Sequence, residues 1–250
     1  MIMRVLFLTG LLLFGGCAGT GGYAPATPEN QEAAAINLQL GLEYMQRGRL
    51  DLAEDKLKKA ISLDDRVPQA HNALGVLYTD AGKSEQAERH YRRALALDDD
   101  YHLARINYGD MLCRAGRYQE GISEYTRVVN RTEKAQQLRA IQGRGLCRIG
   151  SDDPIAAEED LRTVLEADQF APQALQGMAA LNLQQGGPLR ARGFLQRREA
   201  TAPVTAESLW LGYQIEGALG DAGRQESYAV RLRTDFPDSD EASQLRRLMN

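Results

Sequence analysis

The sequence predicts an all-α solenoid, about six helix–turn–helix repeats wound into a right-handed superhelix. Three observations carry that prediction. Small and apolar residues recur with a 34-residue period from Ala34 almost to the last residue. Within each period they keep the three- and four-residue spacing of helices. Glycine then falls at one fixed place between the two apolar runs, at Gly48, Gly82, Gly116 and Gly186. A hairpin of this kind cannot bury its apolar face alone, so it must stack on copies of itself.

The second copy, counted from Pro68, defines the pattern. It places His71 at position 4, Leu74-Gly75 at 7 and 8, Tyr78 at 11, Ala87 at 20, Tyr91 at 24 and Ala94 at 27. That is the tetratricopeptide (TPR) spacing. A small residue at position 8 and Ala at 20 let the two helices touch closely. Gly at 15 can take the positive φ of the turn. Large apolar side chains at 7, 11 and 24 fill the layer between repeats.

The repeats fall at 34–67, 68–101, 102–135, 138–171, 172–205 and 206–238, with two extra residues near Gln136-Gln137 before the fourth. The first carries Leu40-Gly41, Tyr44 and Ala53. The third carries Tyr108-Gly109 and has Gly121 where the others have Ala. The fourth shows Gly145, Ala157 and Leu161, and the fifth Leu175, Met178-Ala179 and Ala191. The sixth is degenerate, as a terminal repeat that meets water can be. Phe236-Pro237 closes it, and Ser239 caps a final short helix.

Residues 1–16 have the form of a signal peptide: Arg4 in the n-region, an apolar stretch from Val5 to Phe14, then Gly15-Gly16-Cys17. The apolar stretch is too short to span a bilayer. Cys17 after two small residues resembles a bacterial lipobox, although Phe14 stands where Leu is usual. An ordinary signal peptide with an incidental cysteine is the alternative. Residues 17–33 are then a lipidated cysteine and a tether, rich in Gly and Pro up to Thr27-Pro28, a helix N-cap followed by Pro. Several acyl chains hold a protein to a membrane far more firmly than one. Ala18, not Asp, follows the cysteine, which points to the outer membrane, periplasmic face.

The net charge of −4 argues against nucleic acid, whose phosphates need a basic face. Cys113 and Cys147 sit late in the first helices of adjacent repeats. A bridge between them is conceivable but needs Cα atoms within about 7 Å, and packed helix axes lie about 8–10 Å apart, so two separate, half-buried thiols are expected.

No motif supports catalysis, a cofactor, a metal or a small-molecule substrate, so no enzyme is expected. His71, His90 and His102 are too few and scattered for a metal site. Gly82-Lys83-Ser84 imitates the end of a phosphate loop, but Leu77 stands where that loop needs its first Gly. Asp98-Asp99-Asp100 reads as a solvated junction and Glu158-Glu159-Asp160 as an exposed helix face.

A TPR stack binds partners with its first helices, near positions 2, 5, 9 and 12 of each repeat. This nominates Leu38, Leu42 and Met45, then Asn72 and Val76, then Ile106 and Asp110 as a groove for an amphipathic helix or added strand. The alternative is that Leu38 and Leu42 are core. The Lys and Asn of the carboxylate clamp in chaperone-binding TPRs are missing from Leu38/Leu42, Asn72/Val76 and Ile106/Asp110.

The lipobox, the short tether, the six repeats and the closing Phe236-Pro237-Asp238-Ser239 together resemble the type IV pilus biogenesis/stability lipoproteins, the PilF/PilW pilotins. The stretches His71–Tyr78, Asn107-Tyr108-Gly109 and Leu209-Trp210-Leu211-Gly212 are similar to that family. The resemblance implies a pilotin that binds secretin subunits and promotes their outer-membrane localisation and multimerisation, moored to outer-membrane lipid through Cys17. A generic lipid-anchored TPR scaffold for envelope assembly, or an adaptor for a peptidoglycan enzyme, remains the alternative.

Overall fold

The computed structural model describes residues 26–131 and 134–249. The leader, Cys17 and most of the tether lie outside the described residues. Thirteen helices and no strand occur among the described residues. They form six antiparallel hairpins: α1 (Pro28–Gln46) with α2 (Leu50–Leu63), α3 (Pro68–Asp80) with α4 (Ser84–Leu97), α5 (His102–Arg114) with α6 (Tyr118–Val129), α7 (Lys134–Gly150) with α8 (Pro154–Ala167), α9 (Pro172–Gln184) with α10 (Pro188–Thr201), and α11 (Ala206–Leu219) with α12 (Ala222–Asp235). The last helix, α13 (Asp240–Met249), closes the stack. No helix among the described residues is long and apolar enough to cross a membrane.

Local chemistry fixes the hairpins. Thr27 caps α1, its side chain accepting from the Asn30 amide, and Pro28 takes the first helical position. Residues 28–33, which the repeat count leaves in the tether, are therefore helical. Gly48, Gly82, Gly116, Gly186 and Gly220 all turn at positive φ, and Asp152 does so in the fourth repeat, where the equivalent glycine is missing. Gln136 and Gln137, the two extra residues, lengthen α7 by its first turn. Gln137 uses that place to donate to the Val129 carbonyl at the end of α6.

Packing follows the period. Ala53, Leu57, Leu74, Ala87, Tyr91 and Leu112 sit in one buried cluster spanning the first three repeats. Gly75 is required there, since a Cβ would lie 2.6 Å from the Tyr91 ring. At the far end, Ala242 and Leu245 of α13 cover Leu209, Ala229 and Leu232. Among the described residues the near end has no such cover. Position 7 is buried as Leu74 and Tyr108 but 36% exposed as Leu40, and position 3 is buried Ala70, Ala104, Ala140 and Ala174 but exposed Ile36. That flank faces a preceding repeat, and the first hairpin has none.

Candidate partner-binding surface

Consecutive first helices touch: α1 meets α3, α3 meets α5, and so on to α11, while the backbones of consecutive second helices stand apart among the described residues. A stack whose hairpins converge on one side and splay on the other must curve around the convergent side. The first helices therefore form the inner wall.

On that wall the nominated residues divide into three kinds. Leu42 is 40% exposed. Leu38, Met45 and Val76 are half-buried, their inward sides packed on the cluster of the first three repeats. Asn72 and Ile106 are buried, at 7% and 2% exposure, and so present almost no surface. Asn72 instead stitches repeats together, accepting from Asn107 Nδ2 at 3.0 Å and donating to Tyr101 Oη at 3.4 Å. Asp110 accepts a hydrogen bond from Tyr125 Oη at 2.5 Å. Burial raises the carboxyl of Asp110 above its usual range and, more strongly, the phenol of Tyr125. The apolar wall is thus concentrated on α1 and α3. It runs from Leu42 over Leu38 and Met45 to Val76, with the uncovered Ile36 and Leu40 on the adjoining end.

Several side chains meet where the sequence keeps them apart. Cys113 and Cys147 form a disulfide, with Cα atoms 5.6 Å apart, and are not separate thiols. Helix axes 8–10 Å apart do not forbid this, because facing Cα atoms each stand about 2.3 Å inside that separation. Gly121 explains the local fit: a Cβ there would overlap Cys113 Sγ and stand 3.3 Å from Cys147 Sγ.

His71 and His90 are not scattered but in contact, Nδ1 to Nδ1 at 3.1 Å. His71 Nε2 lies 3.0 Å from the Asp65 carbonyl, which can only accept, so that nitrogen carries the proton and His90 Nδ1 donates to His71. Burial lowers both imidazoles; His90, with His71, Arg89 and Lys58 nearby, falls to about 4. Asp160 likewise is no part of an exposed face. It is 5% exposed and accepts from both Arg144 and Arg148.

One register accounts for much of this. Position 4 of the first helix faces position 23 of the second in the second and third hairpins. His71 and His90 hold these places in the second repeat, while Arg105 and Glu124 form an ion pair there in the third, at 2.7 Å. The separation of 19 residues in both pairs was the available signal.

Comparison with known proteins agrees with the repeat. A Tetratricopeptide repeat model matches residues 68–101 and a TPR repeat model residues 41–80. No curated protein matches the sequence. PilF of Pseudomonas aeruginosa superposes with a TM-score of 0.68 at 27% identity, covering 88% of this chain and 99% of that one. PilW, a widely conserved type IV pilus biogenesis factor, gives 0.74 at 24% identity, with 87% and 98% covered. A TPR protein from Parabacteroides merdae gives 0.76 at 19% identity, with 87% and 84% covered, a likeness of fold alone. The chain is a tetratricopeptide-repeat solenoid, a protein-interaction fold, and over its described domain it is similar to PilF and PilW.

Proposed function

We propose that this protein is an outer-membrane lipoprotein pilotin of type IV pilus biogenesis, which binds secretin subunits and promotes their localisation and multimerisation. The observation that supports the reading is the likeness to PilF, 27% identical with 99% of that chain covered, with PilW sharing the fold over 98% of its length. Cys17 supplies the anchor in this reading, and the apolar inner wall of α1 and α3 supplies the grip. An amphipathic secretin segment would lay its apolar face across Leu42 and Leu38 and be held until the multimer closes.

Two variants test it. Cys17→Ala should lose outer-membrane localisation and heat-stable secretin multimers; multimers at the normal level in that strain would refute the anchoring role. Leu42→Glu should abolish secretin capture while leaving helical circular dichroism unchanged, because Leu42 is already 40% exposed. Capture of a peptidoglycan hydrolase in place of secretin would favour the adaptor alternative.

A further inference from the structure

The splayed outer side carries two clefts that are one groove in two versions. The first, about 650 Å³, lies between α4 and α6; the second, about 530 Å³, lies between α8 and α10. All of the second cleft's lining but Glu158 answers to a residue of the first's lining at an offset of two repeats plus the two extra residues. Arg92 answers to Arg162 and Arg127 to Arg197, so both keep these guanidinium groups.

Of the acids, Glu88 recurs as Glu158 but the others do not. Glu120 of the first cleft becomes Arg190, Glu124 becomes Phe194, and Asp99, at the cleft's rim, becomes Gln169. In the first cleft every arginine is answered: Arg92 by Glu88, Arg105 by Glu124 and Asp99, and Arg127 by Glu124. In the second, among the described residues, only Arg162 has a carboxylate, that of Glu158. Arg197 reaches the Gln169 carbonyl and lies over the Phe194 ring, and Arg190 has no hydrogen bond or ion pair among the described residues. The floor is apolar, with Met178 buried and Phe194 half-buried. Gly193 replaces Ser123, and no atom stands within 4 Å of where its Cβ would be.

From this contrast we infer that the cleft between α8 and α10 is a second docking site, for an acidic segment of a protein partner that seats one apolar side chain on Met178 and Phe194 and sets carboxylates against Arg190 and Arg197. The chain as a whole is acidic, at −4, yet this cleft presents three arginines and one glutamate. Guanidinium–carboxylate pairs give directed recognition, and the aliphatic and aromatic floor selects a side chain over a bare phosphate. The site stands on the opposite side of the stack from the wall of α1 and α3 and does not rest on the pilotin reading.

The test is fluorescence polarisation on the purified full-length chain. The probe is a short labelled peptide of Asp, Glu, Leu and Phe, compared with the same peptide carrying Lys for each acid. The acidic peptide should bind with an affinity that falls with salt, and the lysine peptide should not. Arg190→Glu, which restores the residue of the first cleft, should weaken binding about tenfold, one lost charged hydrogen bond. Arg190 is exposed, so its replacement leaves the fold intact. Leu42→Glu should leave this binding unchanged. Equal affinity for both peptides, or no change in Arg190→Glu, overturns the inference. So does Arg190-dependent binding to phosphatidylglycerol vesicles without binding to the acidic peptide.

Discussion

Restoring the repeat's own alanine at position 121 separates two opposed expectations by their sign. In an ordinary helix interior, Gly→Ala stabilises by about 1 kcal/mol. Here the new Cβ would overlap Cys113 Sγ and lie 3.0 Å from the Gly109 carbonyl. The Cys113–Cys147 bridge closes a loop of 34 residues. The chain-entropy relation assigns such a loop about 4 kcal/mol, and for a domain of this size that is about 8–16 °C in melting temperature. Gly121→Ala should therefore melt lower than wild type, by an amount close to that produced by Cys147→Ser. Reductant should lower wild type and leave Cys147→Ser unmoved. Because each repeat contacts only its neighbours, amide exchange should quicken mainly in α5, α6 and α7. Circular dichroism melts with and without reductant, together with a mass-spectrometric thiol count, read all of this. Two free thiols in the oxidised wild type, or a Gly121→Ala protein that melts higher than wild type with the bridge intact, would refute the reasoning.

Three further outcomes follow from the packing. The folded pKa of His90 is about 4, against about 6.5 unfolded. The unfolded chain therefore binds a proton that the folded chain refuses, and stability present above pH 6.5 is lost as pH falls. The loss is about 2 kcal/mol at pH 5 and about 3 at pH 4. Replacing the pair by what the fifth repeat carries at the same two places, His71→Leu with His90→Phe, should flatten urea midpoints between pH 6.5 and 5; an unchanged slope would sink the assignment. Leu74→Ala should cost about 2–5 kcal/mol, whereas Leu40→Ala, at the same repeat position but 36% exposed, should cost under about 1; equal losses in urea melts would show that something covers the near end. Asp160→Ala leaves the half-buried Arg144 and Arg148 without their shared carboxylate and should cost about 3 kcal/mol, the low end for breaking a buried pair; a midpoint within error of wild type would refute that.

The hairpins were legible because each states its own boundaries. Gly75 against Tyr91 and the positive-φ glycines are chemistry inside one period, repeated until the pattern stands out. Asp152 shows how far the register reaches, since the chain keeps the turn even where the glycine is missing. What the sequence hid lies between periods. Asn72 and Ile106 occupy inner-wall positions by count, yet Asn72 is spent on Asn107 of the next repeat and on Tyr101, the last residue of its own, and Ile106 packs with Tyr125, Val128 and Cys147. Gly121 and the two cysteines each read as a separate departure, and only the touching of α5, α6 and α7 makes them one feature.

A stack of similar hairpins faces a hazard that its stability does not address. Any hairpin could pack on the wrong neighbour, because the apolar layer at positions 7, 11 and 24 is nearly interchangeable. The polar residues at these helix contacts differ from repeat to repeat. The second has a histidine pair, the third Arg105 with Glu124, the fourth Asp160 under two arginines, and the fifth-to-sixth junction Arg192 with Glu216. Buried ion pairs add little net stability over apolar residues of the same shape, but breaking one is expensive. A sixth hairpin docked out of order would part the buried Glu216 from Arg192 and leave that carboxylate unanswered, a penalty the native order avoids. Pairs inside a hairpin fix how its own two helices meet, the Arg192–Glu216 pair favours the native order at its junction, and the constant apolar positions hold the stack together. The outer clefts show the same division put to another use: where Glu120 and Glu124 give way to Arg190 and Phe194, the groove stops satisfying itself and becomes free to satisfy something else.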